Sequence, residues 1–124
     1  MARLSRGAFD RIVAQAVEGL PPEIRQRLEN VAVVVKAWPA RDDLAEAGAQ
    51  DPYELFGLYQ GVPLTERGQY GPVVPDKITI FQRPLEAACA SRGALLEQIR
   101  ATVLHEVAHH FGLEHEQLEG TPYA

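Results

Sequence analysis

The segment His105-Glu106-Val107-Ala108-His109 restricts what this chain can fold into more than any other stretch of it. On a helix that advances about 100° per residue, His109 lies about 40° round from His105 and one turn along. Residues so placed stand roughly 5–6 Å apart at Cβ, so two imidazoles on one face can converge on one ion. Glu106 falls about 100° round, beside that ion and not aimed at it. This placement suits a carboxylate that holds a water better than one that ligates. The segment is therefore expected to be helical. Gly112 stands where such a helix should stop, because glycine is the usual left-handed residue past a helix C-terminus. Beyond the turn, His115 is placed to swing back as a third ligand. Three protein nitrogens leave one tetrahedral position open for water, the arrangement of a catalytic Zn²⁺ site and not of a closed structural one.

Chance is a poor explanation. At this chain's composition, the His-Glu-x-x-His pattern arises by accident about once in a hundred sequences. Adding Gly112 and His115 lowers that to roughly a few in a hundred thousand. Three of the four histidines fall on the ligand positions His105, His109 and His115. His110, the fourth, points about 140° from His105, toward the apolar side. A supporting or packed role fits it better than ligation. Leu96, Val103, Leu104, Val107 and Phe111 form the expected apolar back of the helix, with Gln98 and Thr102 on the ligand side. Glu114 and Glu116 flank His115 and read as solvated charges, although either can orient an imidazole.

The rest of the chain must supply a fold for this helix within 124 residues, enough for one domain, 1–124, and too few for two. Apolar residues make up 46% and charged residues 23%, which supports an ordinary packed core without disulfides. Cys89 is the one cysteine, set in the small-residue run Ala87 to Ala90, and reads as a small buried hydrophobe. A net charge of −5 lacks the positive field that gathers phosphate backbones, so no nucleic-acid partner is expected. No stretch approaches the roughly 18 apolar residues of a membrane span. The N-terminus lacks the apolar run of a signal peptide. A cytoplasmic location follows as the expectation.

Phe9, Ile12, Val13, Ala16, Val17 and Leu20 follow helical spacing, with Ser5 available as N-cap. Pro21-Pro22 ends that helix and opens a short second one. Val31 to Val35 is a β-branched run, apolar on both faces, and is expected as a central strand. One helical turn is expected near Asp43 to Ala47, and a second strand over Tyr53 to Tyr59, with Gly57 as a bulge or close-approach point. Residues 60–75 hold three glycines and three prolines and read as a long ordered loop. Lys77 to Phe81 is a third strand, and Pro84 opens a short helix. From Ser91 or Ala94 the chain enters its longest helix, which carries the motif. The fold class is α+β: two N-terminal helical pieces and a small three-stranded mixed sheet packed on a long active-site helix.

The run from His105 to His115 matches the extended zinc motif of the metzincin metallopeptidases. Those proteins carry a methionine turn after the third histidine, and the one methionine here is Met1. A broader resemblance rests on Leu55 to Gly68, on Pro75 to Phe81 and on the zinc motif together. In these the chain is similar to the small bacterial zincin-like metallopeptidases. That resemblance implies a compact single zincin-like domain, a Zn²⁺ cofactor and peptide or protein substrates.

The expected activity is zinc-dependent peptide hydrolysis, with Glu106 moving a proton from water to the leaving amine. The strand Lys77 to Phe81 is a candidate for pairing with an extended substrate. Tyr70 and Tyr123 are candidate oxyanion helpers. Two other readings stay open. A bacterial endoribonuclease family of ribosomal RNA maturation resembles the chain at His105, His109, Gly112 and His115, but it typically lacks the glutamate found here at Glu106. A metal-binding protein with little turnover is the other, its cleft covered by the tail from Glu116 to Ala124.

Overall fold

The computed structural model describes residues 3–61 and 75–111. Helix α1 (Arg6–Glu18) begins where Ser5 accepts the Ala8 N–H at 3.1 Å, as its cap position predicts. Phe9, Ile12, Val13 and Ala16 form its buried stripe. Pro22 at the first position of α2 (Pro22–Arg27) lacks only an N–H the helix would not have used, and Ile24 and Leu28 turn into the core. Strand β1 (Val31–Lys36) follows, then α3 (Arg41–Ala47), two turns where one was expected. Asp43 explains that helix. Its Oδ2 accepts the Ala40 N–H at 2.8 Å and Lys36 Nζ at 2.9 Å, and the side chain is buried.

The second strand is shorter than its β-prone sequence suggests. Asp51 accepts the Tyr53 N–H at 2.9 Å and winds Pro52–Glu54 into a single 3₁₀ turn, so β2 spans only Gly57–Gln60. Strand β3 (Asp76–Phe81) lies between the other two, parallel to β1 and antiparallel to β2. This corrects the expectation for β1, which is an edge strand with Val34 exposed. An apolar run signals burial of its faces, and says nothing about whether a strand stands on each side. In place of a neighbouring strand, the Arg6 guanidinium donates to the Val35 carbonyl at the outer edge.

Helix α4 (Gln82–Ala88) starts two residues before Pro84. A proline in the first turn gives up no helical hydrogen bond. Helix α5 (Arg92–Phe111) starts after Ser91, whose hydroxyl accepts the Ala94 N–H at 3.1 Å. The result is the expected α+β fold, with helices around a three-stranded mixed sheet and α5 beneath it.

The sheet has two apolar faces. Ile78, Ile80 and Tyr59 pack toward α5, α1 and α2, where Phe9, Leu95, Ile99, Val103 and Val107 complete the main core. Leu58 and Phe81 face the other way, onto Leu55 and the flank of α3. Glu86 pins the N-terminal segment to α4. Its carboxylate accepts the Leu4 N–H at 2.9 Å, Gln82 Nε2 at 3.1 Å and Arg83 at 2.6 Å. No described helix is long and apolar enough to cross a membrane.

Candidate active site

Helix α5 is buried over a broad arc, from Leu95 and Thr102 through Ile99, Val103 and Val107 to Leu104. That arc fixes the rotation of the helix, and the face left over carries His105 and His109, both exposed. Their rings lie nearly parallel, 13° apart in plane, with centroids 6.4 Å apart. Phe111, placed on the apolar back by its wheel position, is 38% exposed because the helix outruns the core there.

Glu106 is half-buried beside the two imidazoles. Burial pushes its pKa up, and the charges of His105 and His109 and a hydrogen bond from the Tyr59 backbone N–H only partly oppose that rise. A carboxyl so raised is a candidate to take and return a proton.

The pairing of β2 shows which edge of the sheet meets the helix. Phe81 N–H donates to the Phe56 carbonyl at 2.9 Å, and Gly57 stands opposite Ile80 and Tyr59 opposite Ile78. In an antiparallel ladder the bonded pairs alternate, so Gly57 and Tyr59 direct their N–H and C=O groups away from β3. The Tyr59 N–H meets Glu106 on that outer side. β3, expected to receive an extended substrate, is paired on both sides and has no free edge. Sequence pattern cannot show strand order, and among the described residues the edge strand beside the motif is β2.

Two clefts meet at this edge. One, of about 430 Å³, reaches from Gln98 and Thr102 past Gly57 to His105 and Glu106. The other, of about 580 Å³, continues past Tyr59 to His109 and His110. Both are lined by Gly57, His105 and Glu106, so a groove runs along β2 with the motif at its middle. Gln98 and Thr102 line it, as their wheel positions predict. Gly57 is the anticipated close-approach point: a Cβ there would meet Thr102 Cγ2 at 2.6 Å.

His110 stacks on the Tyr59 ring at 3.8 Å, with its Nε2 4.0 Å from Asp76 Oδ2. The Tyr59 hydroxyl donates to the same Asp76 oxygen at 2.9 Å. Asp76 and the Tyr59 backbone were missed in the sequence. Only the packed or supporting role assigned to His110 pointed toward them.

Among the described residues, no three His, Cys, Asp or Glu side chains group to hold a metal ion. The two exposed imidazoles are donors of the type Zn²⁺ takes, and such a site needs a third. His115, the third expected ligand, lies outside the described residues, as do Gly112, Glu114, Glu116, Tyr70 and Tyr123 and most of the 60–75 loop. Cys89 is buried, as expected, and burial raises its thiol pKa.

A search of curated proteins finds no match to the chain. A family model described as zincin-like metallopeptidase matches residues 28–122. The match begins at the end of α2 and takes in the sheet, α4 and α5.

Proposed function

The chain belongs to the zincin-like metallopeptidase family, and from that premise we propose that it hydrolyses peptide bonds, with Zn²⁺ held by His105, His109 and His115 and with Glu106 as general base. The observation that carries the proposal is the place of Glu106. Its carboxylate sits beside two parallel imidazoles, at the middle of a groove that follows β2, an edge strand among the described residues.

The outward N–H and C=O groups of Gly57 suit an extended peptide, which would pair with β2 as a further strand. Strand pairing recognises a backbone and not a base, so it favours a polypeptide over RNA. Bound Zn²⁺ supplies Lewis acidity, making a water more acidic and a carbonyl more electrophilic. Glu106 then takes the proton of the attacking water on a carboxylate oxygen and returns it to the leaving amine nitrogen.

Incubation with denatured casein and with ribosomal RNA, each with and without chelator, tests the reading. Chelator-sensitive casein cleavage with intact RNA is expected. Chelator-sensitive RNA cleavage with intact casein would overturn it in favour of the three-histidine nuclease chemistry.

A further inference from the structure

The outer side of β1 is the other edge of the sheet, and its backbone groups can be assigned one by one. Phe81 N–H donates to the Phe56 carbonyl, so in that ladder Thr79 and Lys77 also turn their groups toward β2. Ile78 and Ile80 are left to bond β1, where Val34, opposite Thr79, meets them with its N–H and C=O. Val31, Val33 and Val35 therefore direct theirs outward. Arg6 agrees with this, since its guanidinium reaches the Val35 carbonyl at the outer edge.

Two of the outward groups are already used. The Val31 N–H donates to the Leu28 carbonyl at 3.0 Å, and the Val35 carbonyl accepts Arg6. Among the described residues, the Val31 C=O, both groups of Val33 and the Val35 N–H have no partner.

That pattern is a palindrome about Val33. Let a second copy of β1 lie antiparallel to the first, with Val33 opposite Val33. The two Val33 residues then exchange both of their bonds, and each Val35 N–H meets the Val31 carbonyl of the other copy. The occupied groups, Val31 N–H and Val35 C=O, fall opposite each other and need nothing. Sliding the register two residues either way sets a free Val33 group against an occupied one and loses half of the bonds. An unrelated strand would leave its own C=O against the occupied Val31 N–H and its own N–H against the occupied Val35 C=O.

Side chains fit the same axis. Val34, 37% exposed, would lie across from Ala32 of the other copy. Beside the edge, between α1 and β1, runs a groove of about 630 Å³ walled by Val13, Ala14, Val17 and Val33. Arg6 and Glu18, the first and last residues of α1, also line it. The two-fold turns the Arg6 end of one groove toward the Glu18 end of the other, which sets opposite charges together. Ala14, small and exposed, lets the two helices approach.

We propose that the chain forms a homodimer in which two β1 edges pair antiparallel about a two-fold axis at Val33. The two sheets then run on as one, with β2 and its groove at either outer end. Nothing in this pairing depends on what the groove cleaves.

Sedimentation equilibrium of the full chain from about 5 μM to about 1 mM reads the mass, and amide hydrogen exchange by NMR over the same range reads the interface. The mass should rise toward twice that of the chain. Exchange at Val33 and Val35 should slow at least about tenfold from the lowest to the highest concentration. The Ile80 amide, which bonds Val34 within one copy, should not change with concentration. Val33→Pro deletes an N–H that the β3 ladder does not use, and should abolish the association. Should that variant fail to fold, Val34→Lys, at an exposed edge position, decides by raising the dissociation constant at least about tenfold. A chain still monomeric at about 1 mM would overturn the proposal. A dimer with fast Val33 exchange would do so too, since it pairs elsewhere. So would a monomer with slow Val33 exchange, in which another segment of the chain covers β1, or a dimer that Val34→Lys leaves as tight as before.

Discussion

Replacing Gly57 by alanine puts a methyl group where β2 lies directly on α5. The added Cβ would stand 2.6 Å from Thr102 Cγ2 and 3.3 Å from the Thr79 carbonyl oxygen. Both neighbours are buried, and the nearer one is a branched side chain on the central helix. Overpacking of this kind costs about 1–3 kcal/mol. Gly57 is not one of the positive-φ residues, so alanine adds no backbone strain and recovers about 0.4–1 kcal/mol from the unfolded chain. The net expectation is a loss of about 1–2 kcal/mol. Thr102→Ser removes the obstructing methyl but keeps the hydroxyl that donates to the Gln98 carbonyl at 2.7 Å. Alone it should cost about 1 kcal/mol for the lost buried methyl. In combination the two changes should be less damaging than their sum by about 1 kcal/mol, because the serine makes room for the alanine. Urea unfolding of the wild type, both single variants and the double variant, at one pH and with chelator present, measures that coupling. Additive losses would refute the idea that β2 is seated on α5 through this contact.

Acid should weaken the fold through two buried carboxylates. Burial raises the pKa of Glu86, but the bonds from Leu4, Gln82 and Arg83 and the Arg83 charge outweigh it, and the net shift is downward. Asp43 is also lowered: burial is opposed by Lys36, by the Ala40 N–H and by the charge of Lys77. Stability from both groups is therefore fully present above their unfolded pKa values, 4.5 and 3.8, and is lost as pH falls through the lowered folded values. Glu86→Ala should cost about 1–3 kcal/mol at pH 7 and progressively less than that toward pH 3; an equal cost at both pH values would contradict the linkage. Cys89 should resist an aromatic disulfide reagent in the native protein and react fully in urea, because its thiol is buried and its pKa raised by that burial. Rapid labelling of the folded chain would show the core to be open there. Phe9→Ala, at a fully buried position on α1, should remove about 3–5 kcal/mol of global stability although α1 lies outside the family match. A loss below about 1 kcal/mol would mean that α1 is not part of the cooperative core.

Much of the site was legible in the sequence because helical geometry is rigid. Once His105 and His109 lie on a helix, their shared face follows, and so does the flanking place of Glu106. The cap at Ser5 was legible for a similar reason, since a hydroxyl at the right offset answers a specific backbone N–H. Strand order was not. Val31 to Val35 has the same apolar pattern at an edge as at a centre, and only Arg6 against the Val35 carbonyl explains how an edge so apolar is closed. The break before β2 was hidden as well, because one side-chain bond from Asp51 overrode the β propensity that followed. Tyr59, Asp76 and His110 come together from two strands and a helix, and no local spacing encodes such a meeting.

Peptide hydrolysis by Glu106→Gln, at a zinc content matched to the wild type by elemental analysis, tests the central assignment most directly. The amide fills the same space and leaves all three histidines in place, but it cannot take a proton from water. The variant should keep its zinc and lose activity by at least about a hundredfold. Full activity with zinc bound would contradict Glu106 as the general base.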